Sequence, residues 1–101
     1  MVSELIYKHK RVYPNSDIVE IKIWKVSKVN DKPHGYKYSL AYIKDGKRVI
    51  GYDNAERKGD HRHYRGKEYP YSFKDIDKLF NDFYSDIRRL TDESKKYKTR
   101  D

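Results

Sequence analysis

No cysteine occurs among the 101 residues, and methionine and tryptophan occur once each. Disulfide and thiolate–metal chemistry are therefore excluded. Proline stands at three positions and glycine at five, with no Pro/Gly/Ser-rich stretch and no internal repeat, so nothing marks a linker or a second domain. No apolar run is long enough for a signal peptide or a membrane span, which makes a cytoplasmic protein with no membrane partner the expectation. Apolar residues are scarce as well. They make up 36% of the chain against 40% charged, a balance that alone leans toward disorder.

The aromatics point the other way. Eleven Tyr, three Phe and one Trp supply buried area while keeping polar handles, so a small domain can fold on few aliphatics. The formal net charge is +8, which suits polyanions or acidic proteins as partners. Adaptation of a charged surface to high temperature would give a similar composition. The charge is uneven: residues 1–71 hold 16 basic and 9 acidic side chains, and residues 72–93 hold 4 and 6. A nucleic acid is thus expected to meet the first part of the chain.

Alternation and turn signals order this first part into strands. Leu5 to Tyr13 reads as a polar edge strand, and Pro14–Asp17 as a turn. Val19, Ile21 and Ile23 alternate with Glu20 and Lys22, but Trp24 and Val26 fall on the other parity, which suggests a bulge or strong twist near Ile23–Trp24. Tyr36, Tyr38, Leu40 and Tyr42 share one face of the next strand, and Asp45-Gly46 signals a tight hairpin into Lys47–Asp53. His61 to Arg65 reads as a further short strand, turning at Arg65-Gly66. Ser72, with Asp75 three residues on, has the pattern of a helix N-cap. Ile76, Leu79, Phe80, Phe83, Ile87 and Leu90 then form one apolar stripe. The expected fold is α+β: an antiparallel sheet of five to six strands, with one long C-terminal amphipathic helix packed on one face. Residues 1–93 form the expected single domain and 94–101 a flexible basic tail.

The stretch Gly51 to His63 concentrates the chemistry. It holds Asp53, Arg57, Lys58, Asp60, His61, Arg62 and His63, and Tyr64 and Arg65 follow directly. In an extended strand, His61 and His63 project from one face, with Arg65 joining them and Arg62 on the other. Gly59 lets the backbone turn sharply. RNA cleavage without metal needs a base for the 2′-hydroxyl, an acid for the leaving oxygen, and cations for the phosphorane charge. Asp53, Asp60, His61 and His63 are the candidate catalytic groups. Arg57, Lys58, Arg62, Tyr64 and Arg65 are the candidate nucleic-acid contacts. The bland reading makes both histidines solvated members of a basic patch. A third reading places a divalent ion on His-x-His with Asp53 or Asp60, against the repulsion of Arg57, Lys58, Arg62 and Arg65. No cofactor or metal is expected on balance. For His9 and His34, solvated side chains are the expectation. A tyrosine row under a helix is expected to be core, although tyrosines can also stack bases.

Four stretches resemble the TumE-like family, the toxin half of prokaryotic toxin–antitoxin modules. They are Val19–Trp24, His34–Leu40, Gly51–Asn54 with Lys58–His63, and Tyr69–Phe73 with the helix to Asp86. The resemblance implies a cytosolic toxin neutralised by a cognate antitoxin, usually a small DNA-binding protein, and many toxins of such modules cut RNA. It implies no catalytic assignment. The reading of function is a toxin endoribonuclease using the His/Asp/Arg cluster. The alternatives are a non-catalytic nucleic-acid or ribosome binder, a metal-dependent nuclease and a protein-interaction module. RNA and an antitoxin are the expected partners, with a homodimer left open.

Overall fold

The computed structural model describes residues 3–30, 32–55 and 59–98, with side chains as far as residue 93. Its elements follow the chain as an unbroken antiparallel meander. They are β1 (Ser3–Val12), β2 (Ile18–Val26), β3 (Tyr36–Lys44), β4 (Lys47–Asp53), β5 (His61–Tyr64), β6 (Lys67–Pro70) and α1 (Ile76–Lys98). The six strands lie in sheet order β1 to β6, each paired with its sequence neighbour. The α+β architecture expected from the sequence is the one observed.

Period-two patterning decides which face the helix covers. On β2, Val19, Ile21 and Ile23 are buried; beside them on β3 lie Tyr38, Leu40 and Tyr42, and on β4 Ile50 and Tyr52. Leu79 and Phe83 of α1 close over this face and are fully buried, with Ile76, Phe80, Ile87 and Leu90 packed around them. The opposite face carries no helix. One row across it reads Lys8, Lys22, Ser39, Asp53, His61 and Pro70.

Trp24 belongs to that open face. The expected bulge in β2 is absent, because β2 pairs with β3 in unbroken register from Ile18 to Lys25. The irregularity lies across from it in β1, between Leu5 and Tyr7. Trp24 and Val26 are simply outward residues, and the apolar run of β2 reflects two different faces.

The tight turns follow their residues. Asp45 and Gly46 both take positive φ, 53° and 75°, as do Arg65 and Gly66 at 52° and 85°. Both hairpins therefore twist in the sense that suits the flanking strands.

The helix begins later than the sequence suggests. Asp75, not Ser72, caps it: the Asp75 carboxylate accepts from the backbone N–H of Lys78 at 2.7 Å. Residues 71–75 form no regular element, and within them Phe73 packs against the rings of His34 and Tyr38, at 4.0 and 5.6 Å. The backbone of α1 continues to Lys98, past the expected end at residue 93, while residues 99–101 of the expected tail lie outside the described residues.

Candidate active site on the open face

Strand pairing builds the site. Asp53, the last residue of β4, sits directly opposite His61, the first of β5. His63 follows two residues on, beside Gly51, and Glu68 of β6 pairs with His63. All four side chains therefore leave the same face.

Asp53 lies between the two imidazoles. Its Oδ1 is 2.7 Å from His61 Nε2 and its Oδ2 is 3.5 Å from His63 Nε2. The two rings stand edge to face with centroids 4.9 Å apart. His61 is buried, and its Nδ1 donates to the carbonyl of Gly59 at 3.2 Å. Gly59 takes φ 79°, a backbone conformation that keeps its carbonyl beneath the ring. Both ring nitrogens of His61 thus face acceptors. A neutral imidazole has one N–H and would aim a lone pair at one of them; the imidazolium presents a proton to each.

His63 is set differently. Burial, together with the nearby Arg48 guanidinium, holds its pKa below the usual histidine value. The two histidines thus stand in different surroundings within one cluster, one between two acceptors and the other beside a guanidinium.

Arg48 is the group that sequence reasoning missed. Its Nη1 lies 3.3 Å from Asp53 Oδ2. It reaches there across Gly51, where an added Cβ would stand 2.8 Å from Arg48 Cδ. The route depends on a register shift between β3 and β4 at Tyr42–Ile43, which periodicity does not reveal.

The remaining candidates lie elsewhere. Arg62 projects through the sheet to the helix side. There its Nε and Nη2 clasp the carboxylate of Asp86 at 2.7 and 2.9 Å, and Nε also reaches Tyr52 Oη at 3.1 Å. Its guanidinium lies over the rings of Tyr64 and Tyr69. Arg65 does not join the histidine face. It pairs with Glu93 of α1 at 2.7 Å, and Tyr64 Oη donates to the same carboxylate at 3.3 Å. Asp60 turns away from His61. It accepts from His34 Nε2 at 2.9 Å and from Tyr38 Oη at 2.7 Å.

His34 is accordingly no solvated loop residue. Its Nδ1 accepts from the Tyr36 N–H at 3.2 Å and its ring lies against Phe73. Both of its nitrogens are thereby satisfied. Arg57 and Lys58 lie outside the described residues. The sequence thus brings Asp53, His61 and His63 together, and places Asp60, Arg62, Tyr64 and Arg65 across the sheet from them.

Asp53, His61 and His63 each also offer a ligand atom, and these atoms lie within 4.8 Å of one another. Among the described residues, no helix is long and apolar enough to cross a membrane. No curated protein and no solved structure matches the chain. A family model does: that of Toxin TumE matches residues 3–91, nearly all of the sheet and most of α1. By that match, the chain belongs to the TumE toxin family.

Proposed function

We propose that this protein is the toxin of a toxin–antitoxin module and cleaves single-stranded RNA by acid–base catalysis at Asp53, His61 and His63. The observation that carries the reading is the pair of imidazoles on one face flanking one carboxylate, with burial and Arg48 holding one of them, His63, below the usual histidine value. Family membership supports the toxin role and implies a cognate antitoxin.

His63, held neutral, takes the proton of the 2′-hydroxyl as the 2′-oxygen bonds to phosphorus. His61, acting as the imidazolium, releases its Nε2 proton from Asp53 and gives it to the 5′-oxygen as the P–O5′ bond breaks. The products are a 2′,3′-cyclic phosphate and a 5′-hydroxyl end. Asp53 orients both rings and stabilises the cation on His61. Arg48, 44% exposed, meets the negative charge that builds on the phosphorane. Arg62 and Arg65 take no part, since carboxylates on α1 hold them.

The test is cleavage of total RNA by the purified protein and its variants. His61→Ala and His63→Ala should each slow cleavage roughly 10²- to 10⁴-fold with an unchanged circular dichroism spectrum. Full activity in either variant would remove that residue from the reaction. A second reading rests on the spacing of the three ligand atoms: a divalent ion held by Asp53, His61 and His63 could activate water. Arg48 opposes it by repulsion. Cleavage that survives EDTA supports the acid–base reading, and cleavage that needs added metal replaces it.

A further inference from the structure

The open face extends well beyond the histidine cluster, and its charges are not balanced. It carries five cations, Lys8, Lys10, Lys22, Lys37 and Arg48, aligned on one side by strand register. Its three acids are all engaged. Glu20 pairs with Lys10, Asp53 with Arg48 and His61, and Glu68 lies 3.9 Å from His61. Lys8, Lys22 and Lys37 have no carboxylate partner among the described residues. The face therefore presents free positive charge.

Between those lysines and the histidines the floor is low. Ser39 and Ala41 are the outward residues of β3 there, and neither has a side chain long enough to block a bound chain, while on β4 the Arg48 side chain lies over Gly51. At the far end stands Trp24, the one tryptophan of the molecule. Its ring is half-buried on the face that α1 leaves uncovered, with Lys37 Nζ 5.1 Å from its centroid. Lys22 lies two residues along the same strand. An indole beside two lysines is the combination that holds single strands, stacking a base while ammonium groups meet the phosphates. The path from Trp24 to His61 crosses three inter-strand steps and two residues, roughly 16 Å from strand and sheet spacings. A few extended nucleotides span that.

We propose that the open face is a track for single-stranded RNA, with Trp24 as the base-stacking platform and Lys22 and Lys37 as phosphate contacts, leading to the Asp53–His61–His63 cluster. The track rests on the reading of that cluster as an RNA-cleaving site, and it adds where the substrate lies on either side of the cut.

Tryptophan fluorescence, excited at the red edge where the eleven tyrosines do not absorb, tests it directly, because that emission comes from Trp24. The full chain is titrated at low salt with a 2′-deoxy oligonucleotide, which lacks the nucleophile and is not cleaved. Binding is followed in parallel by the anisotropy of a dye on the oligonucleotide. Saturable quenching with the same midpoint as the anisotropy change is expected. Trp24→Ala, read by anisotropy, should weaken binding roughly 5- to 10-fold, and Lys22→Ala and Lys37→Ala should weaken it with no change of fold. Binding without any change in Trp24 fluorescence overturns the track, as does unaltered affinity in Lys22→Ala and Lys37→Ala, whose side chains hold no carboxylate of the fold. The two readings fail separately. Quenching by a protein that leaves RNA intact keeps the track and removes the acid–base chemistry. RNA cleavage with undiminished binding by all three variants does the reverse.

Discussion

Removing Arg48 should change the pH at which the site works. Burial and the Arg48 charge both hold His63 neutral, so its pKa lies below the usual 6.5. The base must be unprotonated. Activity should therefore persist as pH falls through 6.5 and fail only below it. Arg48→Ala removes one of the causes, so the acid limb of the pH–rate profile should move up toward 6.5 and the maximal rate should drop. Gly51→Ala, which displaces the same side chain, should act in the same direction. NMR titration of His63 in wild type and Arg48→Ala checks the assignment. The linkage to folding has the matching sign: the unfolded chain binds the His63 proton more readily, so stability declines as pH falls from 6.5 into the lowered range. At this scale the sequence was half legible. Asp53, His61 and His63 could be grouped because strand parity puts i and i+2 on one side. Arg48 could not, because its position depends on a bulge. Arg65 was misplaced because a left-handed turn residue does not follow strand parity.

Between elements, the helix–sheet interface is unusually polar, and this explains how so charged a chain folds. Each of three acids on α1 accepts from a sheet-side tyrosine: Asp82 from Tyr71, Asp86 from Tyr52, Glu93 from Tyr64. Lys78, Arg62 and Arg65 complete these groups. Tyrosine area fills the core while its hydroxyls meet the carboxylates that a small apolar stripe cannot exclude. The pairs are not equal. Asp86 is buried, so Asp86→Ala leaves the Arg62 charge without its carboxylate and should cost about 3 kcal/mol or more in urea unfolding. Arg65→Ala breaks an exposed pair and should cost no more than about 1 kcal/mol. The cap gives a second contrast. Asp75→Ala should cost about 1 kcal/mol, whereas Ser72→Ala should leave the midpoint unchanged. The apolar stripe of α1 was readable from its spacing. The cap was not, since Ser72 and Asp75 satisfy the capping pattern locally while Phe73 is drawn onto His34 and Tyr38 by long-range packing.

Across the whole molecule, the sheet divides labour between its sides: one is closed by α1 and holds the fold, the other stays open and holds free cations. Three unpaired lysines on the open side should make nucleic-acid binding fall with salt with a log–log slope of about −2, at roughly 0.7 per phosphate for single strands. Lys22→Ala should shallow that slope by about 0.7. The meander itself was legible, because Asp45-Gly46 and Arg65-Gly66 announce their hairpins and alternation fixes the register between them. The division of charge between the two sides was not, since it needs the pairing of strands far apart in sequence.

The clasp of Arg62 by Asp86 also sets an order of events. Synthesis proceeds from β1 to α1, so the whole motif from Asp53 to His63 exists before Asp86 has been made. In that interval β5, only four residues long, lacks the carboxylate that clasps Arg62 inward and so keeps the histidines outward. A slip of one position would bury the imidazoles and expose the arginine. An element made after the motif thus helps to arm it, and a chain cut short before α1 carries Asp53, His61 and His63 without the carboxylate that fixes their side of the sheet.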